Sequence, residues 1–204
     1  MNQPQLCFET ICVHQRKFSE RLPYHEARMN RTRQLLWRAQ EPLALKDYLE
    51  IPHSVNDGKH KCRITYGAEI VNIEWEKYQP RTIGSLRVVK ADGLDYAHKY
   101  KDRQALNSLY DQRGSCDDVL IMRQGFITDT SYANIALFDG AGWYTPEHPL
   151  LAGTQRAYLL DQEIIKPRAI RADDIPAYVH LRLFNAMLPW EEGPTLEIER
   201  LFFE

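Results

Sequence analysis

A lysine amine and a carboxylate are the two groups in this chain whose types and placement could do covalent chemistry. Lys99 lies in Tyr96-Ala97-His98-Lys99-Tyr100-Lys101-Asp102-Arg103, just ahead of a predicted helix. Asp129 lies in Ile127-Thr128-Asp129-Thr130-Ser131-Tyr132-Ala133-Asn134, a run that reads as a strand. A lysine amine must be neutral to add to a carbonyl and later to move protons. Burial and nearby cationic groups achieve this by lowering its pKa. Lys101 is the rival nucleophile, two residues away on the same segment.

The elements that must position these groups follow from pattern. Leu6 to Val13 is an apolar-rich first strand, and Phe18 to Leu22 resumes the edge after a polar turn. Pro23 opens a helix, the position that proline suits best, and Met29, Thr32 and Leu36 recur at helical spacing. Glu41-Pro42 ends it, and a second helix is expected over Leu43–Leu49. Cys62–Tyr66 and Val71–Trp75 alternate around Gly67-Ala68, which predicts a hairpin. A domain boundary is expected near residue 82, giving 1–82 as a small α/β domain and 83–204 as a larger domain that carries Lys99.

In the second part, Leu86 and Val88 lie on a strand, and Asp102 is placed to cap a helix running to Gln112. Val119–Met122, Phe126–Thr130, Ile135–Phe138 and Trp143–Thr145 form strands joined at Gln124-Gly125 and Asp139-Gly140. Leu150 to Arg156 is a tight turn into a helix reaching about Gln162. A helical turn within Ile170–Tyr178, a strand at Val179–Leu183 and a closing strand over Leu196–Phe203 complete the chain. Many hairpin strands with few helices argue for an α+β fold.

Composition excludes several functions. The 204 residues are 44% hydrophobic with a net charge of −2, which suits a packed core and offers no basic field for nucleic acid. No run approaches the roughly 18 apolar residues of a membrane span. Met1 to Gln5 lacks the basic and apolar regions of a secretory signal. Cys7, Cys12, Cys62 and Cys116 have neither disulfide-framework nor zinc spacing, so reduced, buried thiols in a cytoplasmic protein are expected.

Six motifs, in order, resemble the class IV aminotransferases, the fold-type IV enzymes of pyridoxal 5'-phosphate (PLP). They are Phe8-Glu9-Thr10; His25-x-x-Arg28; Gly125-Phe126-Ile127-Thr128-Asp129-x4-Asn134; Trp143-x-Thr145-Pro146; Leu150-Leu151-x-Gly153-Thr154-x-Arg156; and Asn185-Ala186-x-x-Pro189. The last is similar to an active-site turn of aminodeoxychorismate lyases. The resemblance implies a two-domain, D-amino acid aminotransferase-like fold, and a homodimer with its active site near the domain and subunit interfaces.

It also implies roles. Lys99 would be the Schiff-base lysine, because Arg103 follows it by four residues as in the lyases. Asp129 would hold the pyridine nitrogen, where the family usually has glutamate. Arg28 would bind the cofactor phosphate with the Thr154-Gln155 turn, since a helix start and an arginine suit a doubly negative group. Asn185 would sit at the phosphate-side turn. The implied activity is cleavage of 4-amino-4-deoxychorismate to 4-aminobenzoate and pyruvate. The alternatives are an aminotransferase of D-amino or branched-chain amino acids, and a PLP-binding protein with degraded catalysis, which the shorter Asp129 would suit. In either enzyme the substrate is a small amino compound. The chain lacks the longer N-terminal segment usual in the family, and the roles of Arg103 and Tyr66 stay open.

Overall fold

The computed structural model describes residues 5–203, so Met1 to Pro4, read above for a secretory signal, lie outside the described residues. The chain folds as two units. One takes the residues up to Pro80 together with His98–Asp102; the other takes Arg81–Ala97 and the chain from Arg103 onward.

In the first unit an antiparallel sheet has the order β2-β1-β3-β4, built from β1 (Cys7–His14), β2 (Lys17–Phe18), β3 (His60–Tyr66) and β4 (Ile70–Lys77). The pairing Thr10↔Arg63↔Glu74 sets its register. Its core is made by Cys7, Ile11, Val13, Met29, Leu45, Cys62 and Ile64. Helix α1 (Leu22–Trp37) has proline in its first turn and ends at Arg38, whose φ of 55° is left-handed and whose N–H reaches back to Arg33 and Gln34. The helix thus stops before the expected Glu41-Pro42 breaker. Its buried residues include His25, Arg28, Thr32 and Arg33, so polar groups at helical spacing turn inward.

The helix expected over Leu43–Leu49 is only a 3-10 turn at Leu45–Asp47. Side chains of α1 take the backbone groups a helix would need. Asn30 both donates to Leu43 O and accepts from Leu43 N, each at 2.9 Å, and Glu26 accepts from Leu45 N at 2.7 Å.

The segment carrying Lys99 extends this sheet along the edge of β1 that faces away from β3. Phe8 N donates to Lys99 O at 2.9 Å, Lys101 N donates to Leu6 O at 2.7 Å, and Cys7 pairs with Tyr100. These backbone bonds place Lys99 in the first unit, whereas sequence assigned it to residues 83–204.

The second unit contains β5 (Leu86–Lys90), α2 (Gln104–Tyr110), β6 (Asp118–Arg123), β7 (Phe126–Thr130), β8 (Asn134–Phe138), β9 (Trp143–Pro146), α3 (Thr154–Asp161), β10 (Lys166–Arg168), β11 (His180–Phe184), β12 (Thr195–Glu197) and β13 (Leu201–Phe202). They form two sheets, β13-β5-β6-β7 and β10-β9-β8-β11-β12. Leu86, Leu120, Ile127, Ile135, Leu137, Leu181 and Leu183 share the core. The β6–β7 hairpin turns on Gln124 and Gly125, with φ of 50° and 81°, as a two-residue turn of left-handed residues requires.

Two expectations are corrected. The residue at the N-cap of α2 is Arg103, not Asp102, and it makes no side-chain cap bond. The single closing strand is two short ones in different sheets: β12 pairs with β11 and β13 with β5, joined by a 3-10 turn. Arg200 Nε donates to Gly84 O at 2.8 Å and holds that crossover. No helix among the described residues is long and apolar enough to cross a membrane.

Candidate active site

In the first unit the chemistry gathers around β1 and the inward face of α1. Glu9 is fully buried. It accepts from Arg28 Nε at 2.9 Å, from Arg28 Nη2 at 2.5 Å, and from His25 Nδ1 at 2.6 Å. Burial alone would raise its pKa, but the Arg28 charge and the two hydrogen-bonding partners hold it at about 2. His25 is pushed down by burial, with the positive charges of Arg28 and Lys99 acting the same way against its bond to Glu9. It is therefore a neutral, packed helix histidine. The fork between Arg28 and Glu9 fixes the guanidinium plane.

Lys99 is half-buried and Lys101 exposed, which separates the two rival lysines. Lys99 Nζ lies 4.9 Å from the centroid of the Phe8 ring. Tyr66 is fully buried edge-on to Trp37 at 6.1 Å, and burial pushes its phenol up, so it is a core residue.

In the second unit Asp129 is buried near the end of β7. Its Oδ1 accepts from Asn134 Nδ2 and its Oδ2 from Leu151 N, each at 2.8 Å. Burial raises its pKa to about 6, against these donors and the more distant Arg156 charge. Asn134 Nδ2 also donates to Leu151 O at 2.9 Å, so it clamps the 150–154 turn onto β7. Gly153 lets that turn approach: a Cβ there would stand 1.8 Å from Asn134 Oδ1.

Thr154 and Gln155 open α3 and are buried. Asn185 lies in a turn after β11. Its Oδ1 accepts from Met187 N at 2.8 Å and Leu188 N at 3.0 Å, and its Nδ2 donates to Tyr132 O at 3.3 Å, so the side chain shapes its own turn. Arg103 ties Tyr96 Oη to Ser131 O, at 3.2 and 2.7 Å.

These residues suit PLP on three observations. Asp129 is a buried carboxylate that receives only neutral donors, and a protonated ring nitrogen would supply the missing charge. Gln155 Oε1 is buried with no hydrogen-bond partner among the described residues. The first turn of α3 has neither an acidic residue nor a side-chain cap, as an anion-binding helix start requires.

Glu9 belongs to the Phe8-Glu9-Thr10 motif, but its role is set by residues distant in sequence. The available signal was a lone carboxylate inside the apolar run Cys7–Val13, with His25 and Arg28 one helical turn apart. Asn134 and Gly153 stand in separate motifs, and only the fold joins them into one clamp on Asp129.

A mixed fold of this topology is that of the fold-type IV PLP enzymes. The chain belongs to the class IV amino-transferase family, whose model matches residues 6–191. It is 34% identical over 182 residues to an uncharacterised protein of Haemophilus influenzae, covering 88% of this chain and 96% of that one. A crystal structure from Haemophilus somnus 129pt, provisionally named a 4-amino-4-deoxychorismate lyase, is 34% identical with a TM-score of 0.84, covering 93% of this chain and 99% of that one. A hypothetical aminotransferase of Mycobacterium tuberculosis in a PLP-bound form shares the fold at 16% identity and a TM-score of 0.74, covering 98% of this chain and 84% of that one. Family members are PLP-dependent enzymes acting on small molecules.

Proposed function

We propose that this chain is a PLP-dependent lyase that cleaves 4-amino-4-deoxychorismate to 4-aminobenzoate and pyruvate. The observation that carries this reading is the likeness to the Haemophilus somnus protein named for that activity, at 34% identity over almost the whole of both chains. The Asn185-Ala186-x-x-Pro189 turn adds to it. A cytoplasmic homodimer is part of the same proposal.

In this reading Lys99 is the attachment residue, and Asp129 keeps the ring nitrogen protonated. Arg28, with its plane set by Glu9, holds the phosphate together with the Thr154-Gln155 start of α3, and Asn185 shapes a neighbouring turn. Bound PLP supplies an electron sink for the pair left when the carbon bearing the substrate amine loses its proton. Lys99 would take that proton. The carbon–oxygen bond to the enolpyruvyl group then breaks and the ring becomes aromatic. Lys99 returns the proton to the methylene carbon of the departing fragment, which leaves as pyruvate, so the products together contain all the atoms of the substrate. Asp129 is one methylene shorter than the usual glutamate. Its bonds to Asn134 and Leu151 N fix its position.

The test is a product assay of the PLP-loaded protein on a panel: aminodeoxychorismate alone, D-alanine with 2-oxoglutarate, and leucine with 2-oxoglutarate. Equal yields of 4-aminobenzoate and pyruvate from the first are expected. Amino transfer from either amino acid with no 4-aminobenzoate would assign an aminotransferase. Absence of every product from a protein saturated with PLP would assign a binding protein.

A further inference from the structure

The chain leaves its second unit after Ala97 and returns to it at Arg103, and Lys99 lies in the loop between. Fixing the two ends of a loop reduces the conformations open to the residues it carries. Arg103 stands at the point of return. Its carbonyl accepts from Asn107 N at 2.8 Å and so starts α2, while its side chain folds back across the base of the loop. Nη1 donates to Tyr96 Oη at 3.2 Å, just before the point of exit, and Nη2 donates to Ser131 O at 2.7 Å. One guanidinium thus joins the two ends of the Lys99 loop to each other and to the residue two places after Asp129.

Both acceptors sit in fixed surroundings. Tyr96 and Ser131 are buried. Ser131 lies in a turn that is itself pinned: Thr130 N donates to Ala133 O at 2.9 Å and Ala133 N to Thr130 Oγ1 at 3.0 Å. Asn185 Nδ2 donates to the neighbouring Tyr132 O at 3.3 Å. The arrangement calls for arginine, because a planar fork reaches two acceptors on different segments through two separate nitrogens, whereas an ammonium is a single point. The outer part of the loop is bonded to β1 through Lys99 O and Lys101 N. Arg103 adds closure at the base.

We propose that Arg103 is a positioning residue: by closing the base of the loop, it holds the Lys99 amine where it can bond to the cofactor. The bond concerned forms when the amine condenses with the aldehyde of PLP and one water leaves. This inference rests on Lys99 being the attachment residue. In this role Arg103 acts through the loop, not by touching the cofactor.

The experiment titrates the full chain, freed of cofactor, with two probes and follows tryptophan fluorescence. PLP has the aldehyde that bonds to Lys99; pyridoxamine 5'-phosphate has an amine in its place and is held without that bond. Arg103→Met removes both hydrogen bonds and keeps an unbranched side chain. It is expected to weaken PLP binding by roughly tenfold to a hundredfold, as misplacement of a reacting group implies, with pyridoxamine 5'-phosphate at parental affinity. Arg103→Lys keeps the charge but not the fork, and should fall between parent and Arg103→Met. Tyr96→Phe removes one acceptor alone and should act in the same sense by a smaller factor; it carries the test if Arg103→Met does not fold. Equal weakening for both probes would make Arg103 a structural residue and overturn the proposal. Lys99→Ala separates the two readings. If it still bonds PLP covalently, the attachment reading fails and this proposal with it. If it has lost that bond while Arg103→Met and Tyr96→Phe bind PLP as the parent does, this proposal alone fails.

Discussion

Asp129 and Glu9 are both buried carboxylates, yet their surroundings drive them in opposite directions. Glu9 has a guanidinium and an imidazole N–H in contact, which overcome burial and hold it at about 2. Its contribution to stability is present above its ordinary value of 4.5 and is lost as pH falls through about 2. Asp129 has only neutral donors in contact, and burial lifts it from 3.8 to about 6. Its folded pKa is the higher one, so its favourable contribution is complete below about 3.8 and is lost as pH rises through 6. In the cofactor-free protein, Asp129→Asn should therefore remove part of the pH dependence. Between pH 4 and pH 8 the parent should lose roughly 1–3 kcal/mol more unfolding free energy than the variant, from a shift of two units at about 1.4 kcal/mol each. Urea unfolding at both pH values checks this. Parallel behaviour would mean that Asp129 is not a buried, unpaired charge. Its position within a Thr-Asp-x4-Asn strand was legible in the sequence. Its charge imbalance was not, because that depends on Leu151 and Asn134 reaching it across a turn.

The turn at 150–154 shows how one element serves another. Gly153 allows the backbone to pass against Asn134, and Asn134 in turn holds both Asp129 and Leu151. Gly153→Ala would place a Cβ 1.8 Å from Asn134 Oδ1, so Asn134 must swing out and give up both bonds. The expected cost is roughly 1–3 kcal/mol of stability, with reduced PLP occupancy, because Asp129 loses its fixed position. Thermal unfolding together with cofactor content measures both, and an unchanged occupancy would show that the clamp does not set the carboxylate. Hairpins such as β3–β4 and β6–β7 were readable because alternation and turn residues are local signals. The failed helix at Leu43–Leu49 was not, since Asn30 and Glu26 of α1 take its backbone groups through contacts distant in sequence. The split of the last strand between two sheets was hidden for the same reason: Leu196 and Leu201 pair with different strands, and apolar pattern alone does not say which.

At the scale of the molecule, the chain leaves its first unit near Pro80 and returns to it for His98–Asp102. That return puts Lys99 on the edge of β1, beside Phe8 and within the electrostatic reach of His25. A linear boundary drawn from composition has no means of showing such an excursion, although the motifs on both sides of it gave the family correctly. The most direct measurement is borohydride reduction of the PLP-loaded protein followed by peptide mass spectrometry. A phosphopyridoxyl group on Lys99, absent from Lys101 and lost in Lys99→Ala, is the expected result. The same group on Lys101, or on no lysine at all in a fully loaded protein, would contradict the assignment of Lys99.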